Sequence, residues 1–248
     1  MTWRAGMRIR IRRQRMPHAE SYWQEFEYDG PADNTVAGVL DYLNYRDDIT
    51  DAQGNHVPRI SWECSCLQAV CGSCAMVING RPALACETFL KDLKGDMITI
   101  EPLSKFPVIS DLVVDRSIIE ENLRDSDAYI REYEKSDRSD HLQQYTAAKC
   151  LKCGLCLEVC PNYVSGENFF GALYANDCFL ISSMSTEGKG EIKRAYDRHF
   201  AAGCSKSLSC MDVCPMKIQT ITSMARMNRR RSISNVLLSP YASEMRHL

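Results

Sequence analysis

A tightly spaced run of four cysteines ends in a proline near the middle of the chain. It has the spacing C-x2-C-x2-C-x3-C-P and consists of Cys150, Cys153, Cys156, Cys160 and Pro161. Three thiolates this close together can bind three corners of one iron–sulfur cube, whereas the fourth usually ligates a different cluster. The run therefore predicts two clusters and further cysteines downstream, which are present as Cys204, Cys210 and Cys214. The chemistry that this pattern predicts is electron transfer.

The composition favours cysteines that bind metal over cysteines that form disulfides. The chain has 248 residues, 13 cysteines and a formal net charge of -2, which gives no general attraction for nucleic acid. An odd number of cysteines does not fit a complete disulfide framework, and no secretory signal opens the sequence. We therefore expect a reducing compartment. No apolar run approaches the ~18–20 residues that cross a bilayer, so we expect membrane contact only through a partner.

A separate set of cysteines in the N-terminal half has the spacing C-x4-C-x2-C-x11-C and consists of Cys66, Cys71, Cys74 and Cys86. This is the plant-type arrangement for a [2Fe–2S] cluster, and Gly72 allows a close approach of the backbone to the sulfides. A zinc loop is the alternative, although zinc favours paired C-x2-C units and only one is present here. A Rieske centre needs two histidines, and none lies beside these cysteines. We interpret Cys64 as a spare thiol, because Cys66 alone keeps the x4 spacing.

The remaining cysteines divide into two further sets. Cys214 is the natural remote ligand for the first three cysteines of the central run, which gives a [4Fe–4S] cluster on Cys150, Cys153, Cys156 and Cys214. Cys160, Cys204 and Cys210 remain, and the position expected to supply a fourth ligand is Ser207. An alkoxide is a poor match for soft thiolates, so a [3Fe–4S] cluster is favoured. Cys178 fits no spacing and is predicted to be a buried small hydrophobe.

The pattern of apolar residues predicts an α+β chain with two domains, 1–105 and 116–248, joined by an extended linker at 106–115. In the first domain, a helix follows a cap at Asn34 or Thr35, and the strands are predicted at about 7–14, 21–28, 75–78, 81–86 and 97–101. The arginine-rich start is interpreted as the first strand rather than a targeting peptide. In the second domain, Ile119, Leu123, Ile130 and Tyr133 are predicted to line one helix face. Further helices are predicted at about 139–149, 167–183, 189–202 and 216–230.

The sequence contains no motif for a flavin, nicotinamide or nucleotide site, and no hydrolase signature. Clusters without a hydride or substrate centre predict a chain that only carries electrons. We therefore expect the redox chemistry at each end to belong to other subunits.

The order of these motifs resembles the iron–sulfur subunit of succinate dehydrogenase and fumarate reductase. The resemblance runs from Arg8-Ile-Arg-Ile-Arg-Arg-Gln14 to about Asn228 and includes Cys71-Gly-Ser-Cys-Ala-Met76, Asn79-Gly80 and Phe106-Pro-Val-Ile-Ser-Asp-Leu-Val-Val-Asp-Arg116. It implies a β-grasp domain and an α-helical ferredoxin domain within a succinate/fumarate:quinone oxidoreductase whose substrate site lies on another chain. The implied partners are an FAD-containing flavoprotein and membrane anchor subunits that bind haem or quinone, with this chain peripheral on the cytoplasmic face of the membrane. Electrons would pass between flavin and quinone through the [2Fe–2S], [4Fe–4S] and [3Fe–4S] clusters in that order.

The resemblance also implies a quinone pocket beside the [3Fe–4S] cluster. The neighbouring residues in this sequence are Pro161, Asn162, Ser165, Ser205 and Lys206. Ser165 and Ser205 stand where ubiquinone-using relatives have tryptophan and histidine, and Cys160-Pro-Asn and Gly171-Ala-Leu are similar to the menaquinone-using branch. The implied quinone is therefore menaquinone.

Two other functions stay open at the level of the sequence. An iron–sulfur subunit of another flavoprotein, or of a thiol-coupled fumarate reductase, would often carry two complete cube motifs and further cysteine-rich domains. Ser207 and the end of the sequence at Leu248 count against it. A zinc-stabilised interaction module without redox function is the alternative from a different class.

Overall fold

The structure, a computed structural model, describes residues 6–133 and 141–237. These residues form two compact units. The first unit contains the described residues up to Ile118 together with Leu151–Val159 and Val213–Pro215, and the second contains the described remainder. Two short cysteine-bearing segments from the second half of the chain thus group with the first unit. The domain boundaries at 105 and 116 stay a prediction.

A five-stranded mixed sheet forms the framework of the first unit, in the order β2-β1-β5-β3-β4. Its strands are β1 (Met7–Arg13), β2 (Tyr22–Tyr28), β3 (Ala75–Ile78), β4 (Arg81–Leu84) and β5 (Met97–Glu101). β1 pairs antiparallel with β2 and parallel with β5, and β3 pairs antiparallel with β4 and β5. Ile9 and Ile11 are fully buried whereas Arg8 is exposed, so the period-two pattern that predicted β1 is confirmed.

The single long helix of the described part of this unit is α1 (Val36–Asn44), and it begins at a threonine cap. Thr35 Oγ1 accepts a hydrogen bond from the Gly38 amide at 3.1 Å. Of the two predicted caps, Asn34 and Thr35, the cap is therefore Thr35. The amides of Val36 and Ala37 donate to the carbonyls of Thr88 and Ala85. The start of α1 is therefore tied to the segment that carries Cys86. A short 3-10 turn, Leu90–Asp92, follows that segment.

The range predicted as an extended linker contains a small hairpin of β6 (Val108–Ser110) and β7 (Val113–Val114). Asp111 forms its turn with a left-handed φ of 47°. Its carboxylate accepts hydrogen bonds from the amides of Gln14 (3.0 Å) and Ser61 (2.9 Å). It also pairs with the guanidinium of Arg13 at 3.0 Å, and both side chains are fully buried. The hairpin is thus held against the end of β1 by buried charge.

The helices after β7 are α2 (Ile118–Asp125), α3 (His141–Ala148), α4 (Leu155–Glu158), α5 (Gly171–Met184), α6 (Lys189–Tyr196), α7 (Ser209–Asp212) and α8 (Thr220–Leu237). A π-helical turn, Asp197–Ala201, continues α6. The core of the second unit contains Tyr174, Phe179, Tyr196 and Met227, and fully buried Cys178 lies among them. The prediction for Cys178 is confirmed. No helix among the described residues is both long and apolar enough to cross a bilayer.

The predicted face through Ile130 and Tyr133 is wrong, because α2 ends at Asp125 and both side chains are exposed. Ser126 Oγ donates to the Asn122 carbonyl at 2.6 Å, and Asp127 has a left-handed φ of 52°. This local hydrogen bond competes with continuation of the helix.

The starts of two other helices also differ from the prediction. α5 begins at Gly171, which itself has a left-handed φ of 77°. α8 begins at Thr220, after Lys217, whose φ of 52° is also left-handed. Residues 139–140 of the predicted helix 139–149 lie outside the described residues.

Candidate iron–sulfur sites

The first cysteine set lies on the β3–β4 hairpin and the loop before it. Cys74 and Cys86 flank the hairpin, and their sulfur atoms are 3.3 Å apart. Cys71 interacts with Cys66 through hydrogen bonds. The four thiols therefore form two close pairs. A [2Fe–2S] cluster with four cysteine ligands needs such an arrangement, because each iron takes two of them.

Backbone amides of the loop point at the thiol sulfurs. The amides of Gln68 and Val70 donate to Cys66 Sγ at 3.3 and 3.4 Å, and the amide of Ala69 donates to Cys86 Sγ at 3.3 Å. Ala69 has a left-handed φ of 59°, which turns neighbouring amides towards one side as in anion-binding concavities. The donors stabilise negative charge on sulfur, as thiolates bound to iron require.

Hydrogen bonding lowers the pKa of one thiol in this set, and burial raises the pKa of another. The hydroxyl of Ser73 hydrogen-bonds Cys71 and lowers its pKa to about 6. Burial raises the pKa of Cys74 to about 12. A buried thiolate at Cys74 is therefore unfavourable without a cation, and bound iron would supply the compensating positive charge. The donor set fits a [2Fe–2S] cluster.

Cys64 lies outside these contacts. It is exposed, while the two amide donors at this end of the loop point at Cys66. That Cys64 is a spare thiol stays a prediction, and this geometry supports it.

Three cysteines of the second set, Cys153, Cys156 and Cys214, belong to the first unit, and Cys150 is grouped with the second. Burial is the largest cause of the raised pKa of Cys153, and the neighbouring Cys214 adds to it. The helical turn α4, which carries Cys156, is held by Glu158. Its carboxylate accepts from the amides of Ser104 and Lys105 at 3.1 Å each.

The first two cysteine loops meet at Gly72. A Cβ on Gly72 would lie 2.7 Å from the Cβ of Cys153 and 3.2 Å from that of Leu151. The φ of Gly72 is +81°, which also favours glycine. The second cysteine loop therefore occupies the space beside Gly72, and the approach of this backbone to the sulfides of a cluster stays a prediction.

Sequence reasoning missed Arg116, which contacts both of these loops. Its Nη1 donates to the carbonyls of Gly72 at 3.1 Å and Cys153 at 3.4 Å, and its Nη2 donates to the carbonyl of Ser73 at 3.4 Å. It also forms an ion pair with Glu63. Arg116 ends a stretch that resembles the family, but it has no spacing relation to the cysteines that would indicate this contact.

The third set, Cys160, Cys204 and Cys210, lines one pocket of the second unit together with Ser207. Burial and, to a smaller extent, the proximity of the other two thiols raise the pKa of Cys210 to about 11. The rest of the lining includes the apolar side chains Phe169, Ala172, Phe200, Leu208 and Met224. Three thiols and one hydroxyl around an apolar pocket fit a cluster with three thiolate ligands.

The loops of the third set are joined by a short hydrogen bond. Asn162 Nδ2 donates to the carbonyl of Gly203 at 2.6 Å, next to Cys204. A Cβ on Gly203 would lie 2.4 Å from the ring of Phe169. Lys206 and Leu208, on either side of Ser207, both have left-handed φ values, 59° and 62°. Non-glycine residues in this conformation cost free energy and often occur at functional sites.

The residues predicted to lie near a quinone are only partly brought together. Ser205 and Lys206 line the pocket of the third set and are exposed. Pro161 is exposed and Ser165 is half-buried, and neither is among the residues that line this pocket.

The described residues contain no group of three histidine, cysteine, aspartate or glutamate side chains that could hold a single metal ion. A structural zinc site needs four ligands at about 2.0–2.3 Å from one ion. The zinc alternative therefore finds no ready-made site in residues 6–133 and 141–237.

The fold and the three thiol sets define a class of protein: an iron–sulfur protein with an α/β unit and a helical unit. The 2Fe-2S iron-sulfur cluster binding domain family matches residues 8–121, and the 4Fe-4S dicluster domain family matches residues 128–218. The succinate dehydrogenase iron-sulfur subunit of Bacillus subtilis is 31% identical over 234 residues, covering 90% of this chain and 91% of its own. The fumarate reductase iron-sulfur subunit of Haemophilus influenzae is 32% identical over 213 residues, covering 77% and 80%.

This chain belongs to the family of succinate dehydrogenase and fumarate reductase iron–sulfur subunits. A chain of the Mycobacterium smegmatis Sdh1 complex in the apo form has the same fold, with a TM-score of 0.74 and 24% identity over 92% of this chain and 98% of that one. The resemblance inferred from the cysteine spacing is therefore confirmed, and so is the role of an electron-transfer subunit of an oxidoreductase at the level of the family. The order of a 2Fe–2S domain followed by a 4Fe–4S-type domain is confirmed as well.

Proposed function

We propose that this chain carries electrons between a flavoprotein subunit with the succinate/fumarate site and a quinone at a membrane anchor. In this proposal it is a peripheral subunit on the cytoplasmic face of the membrane, with a β-grasp unit followed by a helical ferredoxin unit. The observation that carries the proposal is the division of the thiols. Two close pairs lie in one loop system, and three thiols with Ser207 surround a separate apolar pocket.

The ligands that we propose are eleven cysteines in three sets. They are Cys66, Cys71, Cys74 and Cys86 for [2Fe–2S], Cys150, Cys153, Cys156 and Cys214 for [4Fe–4S], and Cys160, Cys204 and Cys210 for [3Fe–4S]. When bound, the clusters supply one-electron redox centres between flavin and quinone.

The chain's own residues hold and shield these thiolates. Amide donors at Gln68, Ala69 and Val70 stabilise charge on the first set. In the third set, the rings of Phe169 and Phe200 stack at 5.5 Å between centroids and help to keep water from the sulfurs. Such hydrogen bonds and such burial set the potential at which each thiolate set exchanges electrons.

A quinone head group would be bound beside the third set. Ser205 and Lys206 lie at the exposed side of its pocket, where a hydroxyl and an ammonium can donate hydrogen bonds to a quinone carbonyl. Pro161 and Ser165 complete the proposed surroundings. Ser165 and Ser205, in place of the tryptophan and histidine of ubiquinone-using relatives, favour menaquinone.

The test uses the complex purified with its native partners. We expect about 9 iron and 10 sulfide atoms per chain, the content of one cluster of each type, and succinate or fumarate turnover coupled to a naphthoquinone in preference to a benzoquinone. Electron paramagnetic resonance of the air-oxidised complex should show a three-iron signal. Zinc in place of iron and sulfide would refute the electron-transfer function, and a missing three-iron signal in an intact complex would refute the assignment at Ser207.

Two cysteine variants provide a matched control. Cys210→Ala should abolish the three-iron signal, whereas Cys178→Ala, which removes a thiol from the core of the second unit, should leave iron and sulfide unchanged. Equal loss in both variants would contradict the proposed division of the cysteines.

A further inference from the structure

Arg116 lies where the first and second cysteine loops touch. Its guanidinium donates to the carbonyls of Gly72 and Ser73, which lie between the ligands Cys71 and Cys74, and to the carbonyl of Cys153 itself. All of these residues belong to the first unit. One planar side chain with several donors thus joins the backbones of two loops that proposed ligands occupy.

The first and second cysteine loops are in direct contact beside Arg116. Gly72 leaves no room for a Cβ beside Cys153, since the two Cβ atoms would be 2.7 Å apart. The backbone next to Cys71 is therefore packed against a proposed ligand of the next cluster. A shift of either loop would open this contact, and Arg116 ties both loops across it.

Arg116 also brings charge to this position. Its side chain is 18% exposed, and its ion-pair partner Glu63 is 41% exposed. Glu63 is the more solvated of the two, so its charge is screened more strongly than that of the guanidinium. The guanidinium lies against the carbonyls of both loops, and a positive charge beside a cluster favours the more negative, reduced form of that cluster.

We propose that Arg116 is a positioning residue for electron transfer between the first two clusters, which fixes the contact of their loops and raises their reduction potentials. This inference rests on the proposed function, since it needs both clusters. A unit charge about 10 Å away at an effective dielectric constant of about 20 changes an equilibrium by an order of magnitude. Arg116→Gln should therefore weaken the electron affinity of the affected clusters by about tenfold, equal to about 59 mV for one electron.

The experiment compares four variants in the purified complex by redox titration followed by electron paramagnetic resonance. Arg116→Lys keeps the charge but cannot join three carbonyls in the same plane, so its potentials should stay close to the original. In Arg116→Lys the spin–spin interaction between the two reduced clusters should change, because this interaction depends on their separation and orientation. Arg116→Gln should lower the potentials, and Glu63→Gln should raise them. The double variant Arg116→Gln/Glu63→Gln should return the potentials towards the original values while the altered spin–spin interaction persists.

The control is Arg124→Gln, which removes an arginine that is 74% exposed and should change neither quantity. Unchanged potentials and spin–spin interaction in Arg116→Gln with full iron and sulfide would overturn the inference. If that variant does not load its clusters, unchanged signals in both Arg116→Lys and Glu63→Gln overturn it equally. A complex that lacks iron and sulfide without any substitution refutes the proposed function itself, so the two failures are distinguishable.

Discussion

The buried ion pair of Arg13 and Asp111 allows a prediction of how much stability a buried charge contributes in the first unit. Asp111→Asn keeps the shape of the side chain and removes its charge. The guanidinium of Arg13 would then stay fully buried without its carboxylate partner. Breaking such a pair by removing one charge typically costs about 3–5 kcal/mol of stability. One carboxylate oxygen would also become an NH2 group, so the amide of either Gln14 or Ser61 would lose its acceptor.

The same strand offers a matched surface pair. Arg10 lies 3.7 Å from Glu25, and both side chains are about one third exposed. Glu25→Gln should therefore cost only about 0–1 kcal/mol. The contrast between the two variants tests burial itself, because β1 carries the arginine in both cases.

The assay is anaerobic urea unfolding of the full chain loaded with its clusters, followed by far-ultraviolet circular dichroism. With a slope of about 2–3 kcal/mol per molar urea, Asp111→Asn should lower the midpoint by about 1–2.5 M. Arg13→Met combined with Asp111→Asn should be less destabilising than the sum of the two single changes, because the pair is then removed as a whole. A midpoint for Asp111→Asn equal to that of Glu25→Gln would refute the reasoning, and so would full additivity in the double variant.

Three further experiments test the cysteine loops. Gly203→Ala should reduce retention of the three-iron signal, since the new methyl group would be 2.4 Å from the ring of Phe169 and overpacking typically costs about 1–3 kcal/mol; normal retention on prolonged dialysis would contradict this. Ser207→Cys should favour a four-iron cube in place of the three-iron cluster and lower its potential, as measured by resonance spectra and titration, and an unchanged spectrum would contradict the assigned geometry. Cys64→Ser should leave the [2Fe–2S] spectrum nearly unaltered and Cys66→Ser should disturb it, and the reverse result would reassign the ligand.

Local patterns predicted those parts of the fold that local interactions determine. The alternation in β1, the turn at Asn79-Gly80 and the cap at Thr35 each depend on residues within a few positions of one another. The division of the cysteines into three sets rests on local spacing as well, because ligand spacing reflects the size of a cluster, and it stays a prediction. The burial of Cys178 followed from the apolar residues beside it in the sequence.

Long-range contacts decide what the sequence could not show. Asp111 accepts hydrogen bonds from amides 97 and 50 positions away, so Pro107 and its neighbours alone predicted only an extended linker. Arg116 reaches Gly72 and Cys153 across 44 and 37 positions. A single arginine in a charged stretch gives no local signal for such a role. The end of α2 was missed because a serine hydroxyl and one left-handed residue outweighed the apolar spacing.

The three cysteine loops carry the same two unfavourable features. Each has a non-glycine residue in the left-handed region, as at Ala69, Lys152 and Lys206, and each buries a thiol whose pKa rises above its usual value. Neither feature stabilises the bare chain, because strained backbone and desolvated thiols both cost free energy. Both would become favourable once a cationic iron centre binds the thiolates while backbone amides donate to the sulfurs, so we expect cluster binding and folding of these loops to be one coupled process. The sheet and the helical core of the second unit, which bury apolar side chains, do not need this compensation.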